Sequence, residues 1–121
     1  MLMPAKTSTT PEQDGKIAAM VFADVYPHYV NKVERKGQTE DALRDALCWL
    51  LGTDEAGLQA ALDERLTFEA LFERADQPDA AEDIKGVICG YRVEALKGVT
   101  RDVRRMDWVV ERVARGRSIA K

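Results

Sequence analysis

The single histidine of the chain, His28, sits in the run Tyr26, Pro27, His28, Tyr29, which continues into Lys32, Glu34, Arg35 and Lys36. Tyrosines that stack on a ring beside cations that pair with phosphate would make an anion or nucleotide site of Tyr26, His28, Tyr29, Lys32, Arg35 and Lys36. The same residues have a plainer reading, with the tyrosines in the core, their hydroxyls at its boundary, and the charges on an outward face. Imidazole titrates near neutrality. Spacing places no serine or cysteine beside His28, however, and a histidine without a partner meets none of the geometric needs of general-base catalysis. No Walker loop, GxGxxG, HExxH, GxSxG or EF-hand pattern is present, so no catalytic residue is assigned. Cys48 and Cys89 are each flanked by apolar residues and read as small buried hydrophobes. Without a CxxC or other ligand spacing, neither a metal nor a cofactor is expected.

A second group of chemistry-bearing residues lies near the C-terminus. Val99, Val103, Met106, Val110 and Val113 recur at helical spacing and form one apolar stripe. At about 100° per residue, Arg101, Arg104, Arg105, Trp108, Arg112 and Arg115 fall on the opposite side. An indole among guanidinium groups suits a protein interface or a second copy of the chain. It would also suit nucleic acid, with the base stacked on Trp108 and the arginines on phosphates. Gln38 to Asp83 holds thirteen acidic residues against three arginines, whereas Gly98 to Lys121 holds six arginines and one lysine against three acids. The acidic centre is therefore the first candidate complement of the arginines, within one molecule or between two. A net charge of −3 weighs against nucleic acid.

The elements that must position these residues read as helices. With 121 residues, 45% hydrophobic and 32% charged, the chain fits one globular domain with a core of its own. Residues 1–15, polar and rich in Thr and Pro, are expected to form a flexible tail ahead of a single domain over 16–121. They do not read as a signal peptide, and no apolar run reaches the roughly 18 residues of a membrane span. Lys16 to Val25 reads as a first helix and Pro27 to Lys36 as a second, with proline in the first turn, where its missing N–H does no harm. Thr39 caps a third helix with Leu43, Ala46, Leu47, Leu50 and Leu51 on its buried face and Gly52 as its stop. Thr53 opens a fourth carrying Leu58, Ala61 and Leu62. Thr67 opens a fifth with Leu71 and Phe72, and Ala75 to Asp83 is a loop. Ile84 to Leu96 is read as helical, with Gly86 and Gly90 letting another helix approach. The alternative is a minor two-stranded ribbon, with Ile17 to Phe22 as the partner strand. The expected fold is a compact all-α bundle of five or six helices.

The phrases FADVYPHYVNKVERKGQT, ALCWLLG, GVICGYRVE and MDWVVERVARGRS, in this order, resemble the bacterial domain-of-unknown-function family 2200. The pattern VYPxYVxKxERKG is carried by Val25, Tyr26, Pro27, Tyr29, Val30, Lys32, Glu34, Arg35, Lys36 and Gly37. The resemblance spans about Lys16 to Lys121. It implies a small single-domain cytoplasmic bacterial protein and transfers no catalytic residue. Trp108 stands where relatives carry a polar residue, which implies a surface position.

These readings lead first to a non-enzymatic binding or interaction module, acting through the Tyr26 to Lys36 element and the arginine face. On that reading, Trp108→Ala with Arg104→Glu removes a partner contact or a dimer without unfolding the domain. The alternatives are a small enzyme or anion-binding domain with its site near Tyr26 to Lys36, and nucleic-acid binding through the C-terminal arginines.

Overall fold

The computed structural model describes residues 4–117. The first three residues of the expected tail and the last four of the expected domain lie outside the described residues. Among the described residues there are six helices: α1 (Pro11–Ala19), α2 (Phe22–Arg35), α3 (Glu40–Leu51), α4 (Glu55–Asp63), α5 (Phe68–Arg74) and α6 (Gly98–Ala114). Between α5 and α6 the chain forms a two-stranded antiparallel sheet, β1 (Val87–Ile88) and β2 (Tyr91–Arg92), flanked by short 3-10 turns at Asp79–Asp83 and Val93–Ala95. The architecture is mostly α, as expected, with the minor ribbon that was the alternative. Among the described residues, no helix is long and apolar enough to cross a membrane.

Helix α6 is the axis of the molecule, touching α1, α2, α3, α5 and β1. Its valine stripe is buried as expected, apart from half-buried Val99 at its start. Because neighbours surround the helix, the buried arc is wider than the stripe and takes in Thr100, Asp102, Arg105 and Val109. The leucine face of α3 follows the expected residues, with Leu43, Leu47 and Leu50 fully enclosed. Thr39 accepts a hydrogen bond from the Ala42 N–H, and Thr67 from Ala70, so both act as the caps their positions imply.

Gly52 ends α3 in the left-handed region with φ +63°, and a Cβ there would lie 1.8 Å from the Asp76 carbonyl oxygen. The Leu51 carbonyl meanwhile accepts from the Asp76 N–H at 2.9 Å, so the two backbones are locked together at this point. Gly52→Ala combines a left-handed alanine with a backbone clash. It is expected to destabilise the fold by more than about 2 kcal/mol, read as a shift in the urea midpoint.

Several expectations need correction. Residues 11–15 are helical: Thr10 and Gln13 form a reciprocal capping box that starts α1 ahead of the expected boundary at residue 16. Lys6 extends the order further, bridging to Tyr91 through its N–H to the Gly90 carbonyl and its carbonyl to the Arg92 N–H. The first helix ends at Ala19 rather than Val25. Met20 and Val21 turn extended because they pair with the α4–α5 loop, through the Phe22 N–H to Leu66 and the Phe68 N–H to Met20, each at 2.9 Å. Helix α2 therefore starts at Phe22, and Pro27 lies inside it. Phe22, wholly buried, anchors the chain ahead of Pro27, and the loss of one intrahelical bond near the start is tolerated. Asp54, not Thr53, caps α4.

Ile84 to Leu96 contains no α-helix. Gly86, Cys89 and Gly90 all have positive φ (+110°, +52° and +82°), which stops a right-handed helix and builds a tight two-residue hairpin turn at Cys89–Gly90. The strand partner comes from within the segment, with Val87 opposite Arg92 and Ile88 opposite Tyr91, and not from Ile17 to Phe22.

Candidate functional site

The residues singled out between Tyr26 and Lys36 do not share one cavity. Helix α2 turns Tyr26 and Tyr29 inward, and they face different neighbours. Tyr26 donates its hydroxyl to Glu40 at 2.7 Å and accepts from Arg44 at 3.2 Å. Arg44, itself buried, also binds Glu55 and Gln59, so this is a packed polar network that ties α2, α3 and α4 together. Burial, then the bond to Glu40, pushes the Tyr26 phenol up to about 12. His28, Arg35 and Lys36 are exposed on the outer side of α2. Lys32 is the member that turns toward α6.

The arginine set also divides. Arg105 is 6% exposed and donates to Gln77 at 3.0 Å, and burial, reinforced by neighbouring Arg101, holds its pKa below the usual guanidinium value. Arg101 pairs with Asp102 at 3.2 Å and Arg104 with Asp107 at 2.9 Å. The acids these two meet lie on α6 itself, whereas the acidic centre pairs with its own arginines and with α2, as in Arg74–Glu64 and Arg65–Asp24. Arg104 and Asp107, three apart on the helix, are already neighbours, so this local acid reaches the arginine first. Trp108 is half-buried against the core, with the Arg112 guanidinium 5.1 Å from its ring centre.

Where α2, the hairpin and α6 meet, a cluster gathers around Asp107, a residue outside both expected sets. Its carboxylate accepts from Arg104, from the Tyr29 hydroxyl at 3.4 Å and from the Cys89 thiol at 3.8 Å. Burial pushes the Asp107 carboxyl above its ordinary range, although Arg104 and Lys32 pull it down. The Tyr29 phenol is driven well above its usual value by burial and by that carboxylate. Arg104 also stacks over the Tyr91 ring at 4.7 Å, so Asp107 and Arg104 together clamp the hairpin onto α6. Cys89 is exposed at the hairpin turn, not buried as expected, because its left-handed backbone places it at the tip. Cys48 is half-buried beside the core. A sequence signal for Asp107 did exist: at helical spacing it falls next to Val103 and Val110 on the apolar stripe, where an acid has to find partners.

Beside this cluster a cleft of about 410 Å³ opens between α2, the hairpin and the last turns of α6. Among the described residues, Lys32, Arg112, Arg115 and Arg117 supply its cations, Glu111 its one acid, and Trp108 with Val87 and Ile88 its apolar wall. Glu111 bridges the two helices, bonding Lys32 at 2.6 Å and Arg115 at 2.9 Å. Lys32, Trp108, Arg112 and Arg115 from the two expected sets are therefore brought to one place. Glu111, Val87, Ile88 and Arg117 join them only through the fold.

A family model described as an uncharacterized protein conserved in bacteria (DUF2200) matches residues 16–121. The fold is similar to the crystal structure of the uncharacterized protein SP1917. That chain is 32% identical, with a TM-score of 0.79, and the likeness covers 85% of this chain and 86% of that one. No curated protein matches.

Proposed function

The chain belongs to the DUF2200 family, conserved in bacteria, and from its own geometry we propose that it is a non-enzymatic binding module that takes a small anionic ligand in the cleft between α2, the hairpin and α6. The carrying observation is the lining: among the described residues, four cations and one acid around a half-buried indole, in a chain whose net charge is −3. A concave wall with a surplus of positive charge focuses the field on an incoming anion. Guanidinium forks suit carboxylate and phosphate oxygens. Trp108, Val87 and Ile88 offer an apolar wall to the rest of the ligand. The volume falls in the range of small-molecule sites, about 300–1,000 Å³. The bacterial cytoplasm is the setting this reading takes, where Cys48 and Cys89 stay thiols.

A protein or nucleic-acid partner on the arginine face is less well supported, because Arg104 and Arg105 already engage Asp107 and Gln77 inside the molecule. The test is a titration of Trp49→Phe protein, in which Trp108 is the remaining indole, with aryl carboxylates and aryl phosphates at low salt. Saturable quenching of Trp108 is expected. Lys32→Met combined with Arg112→Gln should weaken binding at least about tenfold, since one charge-assisted hydrogen bond contributes roughly 1.5–3 kcal/mol. The absence of saturation at millimolar ligand would end the proposal.

A further inference from the structure

Within the cleft, Glu111 bridges cations on two walls. Its two oxygens are divided between the walls: Oε2 lies 2.6 Å from the Lys32 Nζ on α2, and Oε1 accepts from the Arg115 Nε at 2.9 Å. Its carboxyl is held below the ordinary glutamate range, chiefly by the bond to Lys32 and then by Arg115, so it stays ionised at neutral pH. On a convex surface such a network would be an ordinary solvated ion pair with little effect on stability. Here it engages Lys32 and Arg115, both of which line a concave site.

We infer that Glu111 is a built-in competitor for the cleft and restricts its ligands to doubly charged anions of the phosphate monoester class. The inference rests on the anion-binding reading above. A ligand that reaches Lys32 and Arg115 has to displace a carboxylate tethered to the same helix, whose effective concentration is on the order of millimolar or higher. A monocarboxylate only replaces like with like, so its exchange for Glu111 gains no charge. A phosphate monoester carries close to two negative charges above its second pKa of about 6 and presents three acceptor oxygens. It can replace the carboxylate and still engage Arg117 on the same wall. Selectivity then comes from a repulsive element inside the site, a common route to discrimination between similar ligands.

Phenyl phosphate and benzoate, which share a ring and differ in charge, are the probes, titrated at pH 8 and low salt into Trp49→Phe protein and followed by Trp108 fluorescence and calorimetry. The unaltered cleft should prefer phenyl phosphate by at least tenfold. Glu111→Gln should bind both more tightly, benzoate gaining more, so that the preference contracts; Glu111→Ala is the second variant, and melting curves confirm that both are folded. A readout that needs no Glu111 variant is the Glu111 carboxyl itself, whose pKa should rise when phenyl phosphate displaces it from Lys32, as followed by carbon NMR. A preference that is unchanged in both variants, or a Glu111 pKa that does not move while phenyl phosphate binds, overturns the inference and leaves the anion-binding reading standing. If neither probe binds even to Glu111→Gln protein, both fail.

Discussion

Phe22→Ala is expected to lower the unfolding free energy by about 3–5 kcal/mol, the usual range for truncating an enclosed aromatic ring. Phe22 is wholly buried, with its ring 5.9 Å from Tyr26 in an edge contact and 6.0 Å from Phe68. It also follows the extended Met20–Val21 link, so it fixes where α1 stops and α2 begins. The loss is a large part of the roughly 5–15 kcal/mol that stabilises an ordinary domain. In urea the midpoint should fall in proportion, and Phe22→Leu, which leaves most of the volume filled, should lose much less. A loss below about 1 kcal/mol for the alanine variant would mean that the surrounding rings collapse into the space, and that Phe22 is not the anchor of α2.

Arg104→Glu is the second large effect, and it reverses the expectation drawn from helical projection. On the helical wheel Arg104 belongs to an outward arginine face, and its charge reversal should spare the fold. In the structure its side chain is 19% exposed, paired at 2.9 Å with an Asp107 side chain that is 16% exposed. Reversal sets two carboxylates against each other beside the Tyr29 hydroxyl and removes the cation stacked on Tyr91. The expected destabilisation is about 3 kcal/mol, the lower end of the cost of breaking a buried pair, because both groups keep some contact with water. The pH dependence gives an independent check. Burial raises the Asp107 pKa, so its contribution to stability is fully present below the ordinary carboxyl range and is lost as pH rises through the raised value. Without Arg104 to oppose that shift, the deficit of the variant should be smallest in acid and widen toward neutrality. Equal deficits at both ends would separate Asp107 from the effect. The hairpin should loosen as well, seen as faster amide exchange at Tyr91 and Arg92.

How far each feature was legible in the sequence depended on how local its cause is. Caps at Thr39 and Thr67, the stop at Gly52 and the leucine face of α3 are set by residues within one or two helical turns, and they stand as read. The expected start of α2 at Pro27 followed a local rule that a distant pairing overrode, since Val21 bridges to Thr67 across the molecule. The hairpin at Val87–Arg92 was hidden because its glycines fit either a close helix contact or positive φ, and only the backbone separates the two.

The helical class, the family, the core faces of α3 and α6 and the segregation of charge are legible in the residues alone, because side-chain type and a period of about 3.6 carry that information. Which charges face which is set by the packing of the helices. Arginines that share one face of α6 in projection were divided by its neighbours into internal partners of Asp107 and Gln77 and the cations of a cleft shared with Lys32. A helical wheel ranks residues by angle about one axis, whereas burial and pairing depend on which elements crowd that axis. That crowding depends on contacts distant in sequence.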